Sequence, residues 1–375
     1  MAAYLVKRLL LMIPTLFGIM LISFTIIQFA PGGPVERVIA QLTGTDVSAT
    51  ARISGGGSDI AGPQGTANAG QDGSSSSYRG AQGLDPEFIK RLEKQFGFDK
   101  PAHERFFLMI KNYAMFDFGK SYFRDVSVMS LIKEKLPVSI SLGLWMTLLT
   151  YLISIPLGIR KAVHDGEKFD VWTSGLLVVG YAVPGFMVAV MLLVLFAGGS
   201  FVQWFPSRGL HSEFYASWSF ARCATNIGCV ADYVWHLVLP LTSMGLASFT
   251  MMSFLTKNSF LDEIRKQYVL TARAKGLSES KVLYGHVFRN AMLLVIAGFP
   301  GAFVGAFLGG SVLIETIFSL DGIGLLGFES AINRDYPVVF ATLYILSLTA
   351  LIVHLLTDFT YTLVDPRIDF ESRET

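Results

Sequence analysis

Six stretches of this chain stay apolar for long enough to cross a lipid bilayer, and that single feature excludes most folds. A helix rises about 1.5 Å per residue, so roughly 20 apolar residues cover about 30 Å of hydrocarbon. The stretches run from Leu9 to Ala30, from Leu136 to Ile159, and over about 171–198, 234–256, 291–318 and 338–357. They predict helices, because backbone amides in lipid must bond within their own segment and the alternating pattern of a barrel is absent. Pro184 and Pro300 sit inside the third and fifth stretches and predict tilt or kinks there. Composition agrees: 16% of residues are charged, against about 25% in an ordinary soluble domain.

Lys and Arg set the orientation. Fourteen of them fall in the pieces on one side, among them Lys7, Arg8, Arg160, Lys161, Lys257, Arg273, Lys275 and Arg367; the short loops opposite hold only Arg208, Arg222 and Arg334. The basic side is cytoplasmic. The sequence thus predicts an all-α polytopic membrane protein with six transmembrane helices and both termini inside. The first apolar run exceeds a signal core and "QFAPGGP" has no small-x-small site, so a retained helix is expected. The expected layout is a first span within 1–30, an outer segment over 31–135, the remaining spans over 136–363 with an inner loop at 257–290, and a cytoplasmic tail at 364–375.

On the outer side, residues 43–83 contain a Gly/Ser-rich insert with too little apolar surface to offset its ordering entropy, which predicts a mobile loop. Asp85-Pro86 is a helix start, and Ile89 and Leu92 share a face. Whether these outer helices pack on the ends of the spans or form a docking platform stays open at this level. Cys223 and Cys229 lie in an outer loop, where an oxidising compartment permits a disulfide; two free thiols are the alternative. No metal site is expected, since His211 is the only imidazole nearby.

The inner loop reads "YVLTARAKGLSESKVLYGHVFRNA" from Tyr268. Its order is helix, glycine, helix: Val269, Ala272 and Arg273 share a flank, Gly276 ends the first helix, and Leu277-Ser278 begins the second. A solvated basic loop would satisfy the charge bias alone, but the internal order favours a built part.

This segment resembles the cytoplasmic coupling loop of ABC-importer permeases in its oligopeptide/dipeptide version. Ala272 and Gly276 match the family's Ala and Gly, Leu270 stands in place of its Glu, and Phe288-Arg289 replaces its closing hydrophobe and Pro. "FDFGKSY", "EKLPVSISLGLW", "SIPLGIRKA", "LIETIFSLDGIGLLGFESAINRDYPVV" and "VDPRI" resemble the same family in the same order. The nearest branch imports peptide-nucleotides of the microcin C kind along with other oligopeptides. The resemblance implies a type I importer permease fold in the bacterial inner membrane. It also implies a heterodimer with a second related permease, ATP-binding subunits that carry ATP and Mg, a periplasmic peptide-binding protein and a peptide substrate. Tyr268, Ala272, Arg273, Lys275, Gly276 and Leu277 would then couple the chain to the ATPase. The chain has no G-x-x-x-x-G-K-[S/T], so it cannot cradle a triphosphate itself, and no cofactor is expected on it.

Polar residues within spans are costly toward lipid, which makes Ser139, Thr147, Thr150, Thr242, Ser243 and Glu315 candidates for the translocation path, with helix packing the plainer account of each. Gly322, Gly324 and Gly327 spell G-x-G-x-x-G, but an apolar helix and not a strand precedes them, so a nucleotide site is rejected. They are expected to supply backbone freedom at an outer gate or hinge. The alternative function is a secondary transporter or channel for small polar solutes. Such a transporter would usually carry ionisable residues at mid-bilayer, and the span centres have none. The six histidines are scattered, which argues against an enzyme, and no basic stripe suggests nucleic acid.

Overall fold

A computed structural model describes residues 2–29, 33–42, 86–95, 97–199, 201–218, 220–302 and 312–364. The insert at 43–83 and the tail beyond 364 lie outside them. Among the described residues there are helices and one isolated antiparallel bridge, Lys120 with Ser127, but no strand. The helices are α1 Ala2–Phe29, α2 Pro34–Leu42, α3 Pro86–Gln95, α4 Ala102–Ala114, α5 Val128–Val163, α6 Lys168–Ala182, α7 Gly185–Phe196, α8 Glu213–Ala216 and α9 Phe220–Ala224. They continue with α10 Ile227–Ile264, α11 Gln267–Ala274, α12 Glu279–Val282, a π-turn Leu283–Val287, α13 Phe288–Ala297, α14 Val312–Ile317, α15 Ile323–Ile332 and α16 Tyr336–Val364.

Among the described residues, five helical runs are long and apolar enough to cross a membrane, and six if α6 and α7 count together as one broken span. That pair bends by 93°. The cause is legible in the sequence: Pro184 lacks the amide that would continue the helix, and Val183 before it is driven to an extended conformation (φ −88°, ψ 122°). The kink expected there is therefore a full break. Span four and the inner loop also differ from expectation. α10 continues as helix to Ile264 and the run leading into span five starts at Glu279, so only residues 265–278 lie between the two membrane-crossing runs. Hydropathy ends where the apolar residues end, whereas the helix continues through the polar "TKNSFLDEI" without a breaker.

The chain divides into two compact units. One comprises Met1–Ile13, Lys133–Leu326 and Leu346–Thr375. Its α10 packs on α6, α7 and α13. It has two apolar cores, one around Leu142, Leu237, Ile314 and Phe318, the other around Ile159, Phe260, Val282 and Ala291. α5 and α10 cross closely at Gly158, where a Cβ would lie 2.6 Å from Thr256.

The other unit comprises Pro14–Ile132 and Gly327–Ile345. Val35, Ile39, Ile89 and Leu92 form its small core between α2 and α3. Asp335 is buried there, accepting bonds from the Ser121 hydroxyl and, at 3.0 Å, from the Tyr122 amide. The "FGKSY" and "NRDYPVV" stretches, more than two hundred positions apart, thus meet at one carboxylate.

Candidate functional site

The inner segment between α10 and α13 is built from the expected helix–glycine–helix order. α11 buries Val269 and Ala272 against Phe260, Val282 and Val287. Its end is a Schellman motif: the Gly276 amide bonds Arg273 O at 2.9 Å and the Leu277 amide bonds Ala272 O at 3.4 Å, with Gly276 at φ +76°. Arg273 then clamps forward onto Glu279 through Nε (2.9 Å) and Nη2 (3.0 Å). The Tyr268 hydroxyl donates to Glu263 at 2.7 Å, and burial pushes its pKa above the usual tyrosine value.

This arrangement sorts the six expected residues by role. Ala272 faces inward, so its small size serves the packing of α11 on its own chain. Leu277 and Tyr268 are half-buried supports. The surface offered to the cytoplasm is Leu270, Arg273, Ala274, Lys275 and Gly276, all exposed. It is a small basic knob with one apolar tip, Leu270. The π-turn that follows was not foreseen; such turns interrupt α-helices frequently at functional sites.

Sequence reasoning also missed the ion network at the cytoplasmic ends of α5, α6 and α10. Lys161 is fully buried, bonds Ser174 Oγ at 2.6 Å and Thr173 Oγ1 at 3.2 Å, and lies 3.4 Å from Asp170. Lys257 completes it, reaching Asp170 at 2.7 Å and Asp165 at 2.8 Å. The lysines had been read as orientation charges only; the missed signal was Asp170, a lone acid at the start of an apolar helix. Buried charges are paired because their desolvation cost is otherwise uncompensated.

At the outer side of the same unit, "EKLPVSIS" and "LDGIGLLG" meet. Lys135 pairs with Asp321, and Ser139 Oγ accepts the Ile323 amide at 2.9 Å. Glu315 is fully buried and its Oε2 accepts the Leu325 amide at 2.7 Å. Ser139 and Glu315 thus cap the first turn of α15, where amides lack intrahelical partners. The glycines have a different use from the one expected. The left-handed position of the turn is taken by Ser319 (φ 51°), while Gly324 and Gly327 are ordinary helical residues. Gly322 is needed for room: a Cβ there would lie 2.6 Å from the Glu315 carboxylate. Gly322→Ala should therefore displace that carboxylate from its amide and cost about 1–3 kcal/mol. Thermal unfolding of the purified protein checks this, with Gly324→Ala as the near-neutral control.

The remaining path candidates separate. Thr147 and Thr150 line a cavity of about 440 Å³ with Tyr151, Ser248 and the methionines 146, 244, 251 and 252. Their buried hydroxyls have no partner. Ser243 instead bonds Pro240 O at 2.7 Å, the carbonyl three residues earlier in α10, and Thr242 bonds Val238 O at 2.6 Å while lining a separate apolar cavity. In the outer loop Cys223 and Cys229 form a disulfide between α9 and α10. With both sulfurs so engaged, neither offers a thiolate to the nearby His211 for metal binding.

Long apolar helices, a basic inner knob and a capped outer turn define a polytopic helical membrane protein. A family model described as binding-protein-dependent transport system inner membrane component matches residues 154–370, and the chain belongs to that family. It is a multi-pass inner-membrane permease of the ABC-importer kind, and it is the transport subunit of its system, with a substrate-binding protein and ATP-binding subunits as partners. Two full-length relatives are the peptidoglycan transport system permease protein YejB of Agrobacterium fabrum and the inner membrane ABC transporter permease protein YejB of Escherichia coli O157:H7. They are 62% and 54% identical, each over 100% of both chains. The oligopeptide transport system permease protein AppB of Bacillus subtilis is 30% identical over 99% of this chain and 100% of its own.

Proposed function

We propose that this chain is one of two related permeases that together form the pore of an ATP-driven peptide importer. The cargo is oligopeptides, including peptide-bearing fragments of peptidoglycan and peptide-nucleotides of the microcin C kind. The observation that carries this is full-length similarity to a permease named for peptidoglycan transport and to one named for oligopeptides. The cavity around Thr147 and Thr150 supports it. Four methionines give an unbranched, polarizable wall that adapts to different side chains, and two unpartnered hydroxyls can bond a passing amide. A peptide-binding protein delivers cargo to the outer face. Subunits carrying ATP and Mg dock on the knob at Leu270, Arg273, Lys275 and Gly276.

Affinity purification in mild detergent tests the assembly. Recovery of one sister permease and an ATPase is expected, and a homo-oligomer without either overturns it. Deletion of the gene tests the cargo. Uptake of labelled tripeptide and of a peptidoglycan-derived peptide should both fall, and sensitivity to microcin C should be lost. Unchanged uptake of every peptide overturns the peptide assignment, and unchanged microcin C sensitivity removes the narrower cargo alone.

A further inference from the structure

The outer helical unit encloses a cleft separate from the cavity around Thr147 and Thr150. About 500 Å³ of space lies between the outer end of α1, the helix α4 and the start of α16, all within Pro14–Ile132 and Gly327–Ile345. Seven aromatic side chains line it, with Arg105 set among the rings. The guanidinium lies 4.5 Å over Phe98 and 6.0 Å from Phe24, and its Nη2 donates to Gln28 at 2.9 Å. Its Nε is enclosed and without a partner, and no carboxylate pairs with Arg105 among the described residues. A partly desolvated guanidinium with donors to spare and no ion-paired carboxylate is a place for an anion. Lys94 and Lys100 line the same space and add to the positive potential; Asp99 and Asp117 line it as well.

Position decides which anion. The cleft sits at the outer end of the first span, the level of lipid headgroups. Leu108 lines it and is 47% exposed, and beside it Phe107 on α4 and Phe29 at the end of α1 are 62% and 84% exposed. An apolar surface that borders a cationic cleft matches an amphiphile, with its charged head inside and its chain outside.

We propose that this cleft binds the phosphate headgroup of an outer-leaflet phospholipid, with Arg105 as its main ligand and Leu108 against the start of an acyl chain. The planar fork of Arg suits a phosphate, and a lysine there would hold it less well.

Native mass spectrometry of the assembled transporter, delipidated and then supplied with phosphatidylethanolamine or phosphatidylglycerol, tests this. The wild type should retain one phospholipid that Arg105→Gln loses and Arg105→Lys holds more weakly. Leu108→Asp, which leaves the cation intact, should also lose it. Equal retention in all variants overturns the proposal. Displacement of the lipid by inorganic phosphate makes the cleft a simple ion site, and displacement by an oligopeptide makes it part of the cargo route; either result overturns a lipid site. Lipid retention is read without transport, so its failure is distinct from any failure of the peptide assignment.

Discussion

Gly276→Asp should abolish peptide uptake while leaving the chain folded, inserted and present at its normal level. Gly276 closes α11 in a left-handed conformation (φ +76°), and a Cβ there would meet nothing within 4 Å. Asp is among the few residues that visit this region, so the backbone strain is about 1–2 kcal/mol and is not enough to unfold the protein. The change acts on the surface. It places a negative charge on the exposed knob next to Lys275, the part proposed to enter a groove on the ATPase. A desolvated charge of the wrong sign at a fitted contact costs several kcal/mol, which is a loss of more than a hundredfold in productive docking. Membrane-fraction abundance and labelled tripeptide uptake measure the two halves of the expectation. Gly276→Ala, which brings strain without charge, should keep much of its transport. Normal uptake by Gly276→Asp would place the coupling surface elsewhere.

Asp170→Ala should lower stability by about 3–5 kcal/mol, because it leaves fully buried Lys161 without its counter-charge. Lys257 would lose one of its two carboxylates and keep Asp165. The loss should appear as a melting temperature lower by on the order of 5–10 °C for the detergent-solubilised protein. Removing both charges together, as Asp170→Leu with Lys161→Met, should cost clearly less than Asp170→Ala, since apolar replacements of similar volume often substitute for a buried pair. Equal losses in the two variants would mean that shape, not charge, holds α5 to α6. Because α11 follows α10 directly, this network also fixes the base from which the knob projects.

Much of the fold was legible in the sequence for simple reasons. A bilayer admits few backbone solutions, so apolar length alone located the spans, and the Lys/Arg bias alone oriented them. Pro184 and Gly276 were readable because each imposes a local backbone constraint that holds wherever the residue occurs. The inner segment was readable because its helix–glycine–helix order is local too. What misled was inference from one residue to a partner. Ser139 Oγ and Glu315 Oε2, expected as polar groups for a path, each accept an amide of α15. Gly322, marked for flexibility, gives room to a carboxylate seven positions earlier in the chain.

Sequence by itself determined a polytopic helical membrane protein, its orientation and the helix–glycine–helix build of its inner segment, because hydrophobic length, charge bias and local turn chemistry act without reference to distant residues. Only the tertiary structure decided that Lys161 and Lys257 share Asp170, that Ser121 meets Asp335, and that the Arg105 guanidinium lies over the Phe98 ring with one nitrogen on Gln28. A buried charge or hydrogen-bonding group is satisfied by whatever the fold brings within 3 Å or so, and that neighbour can lie anywhere along the chain.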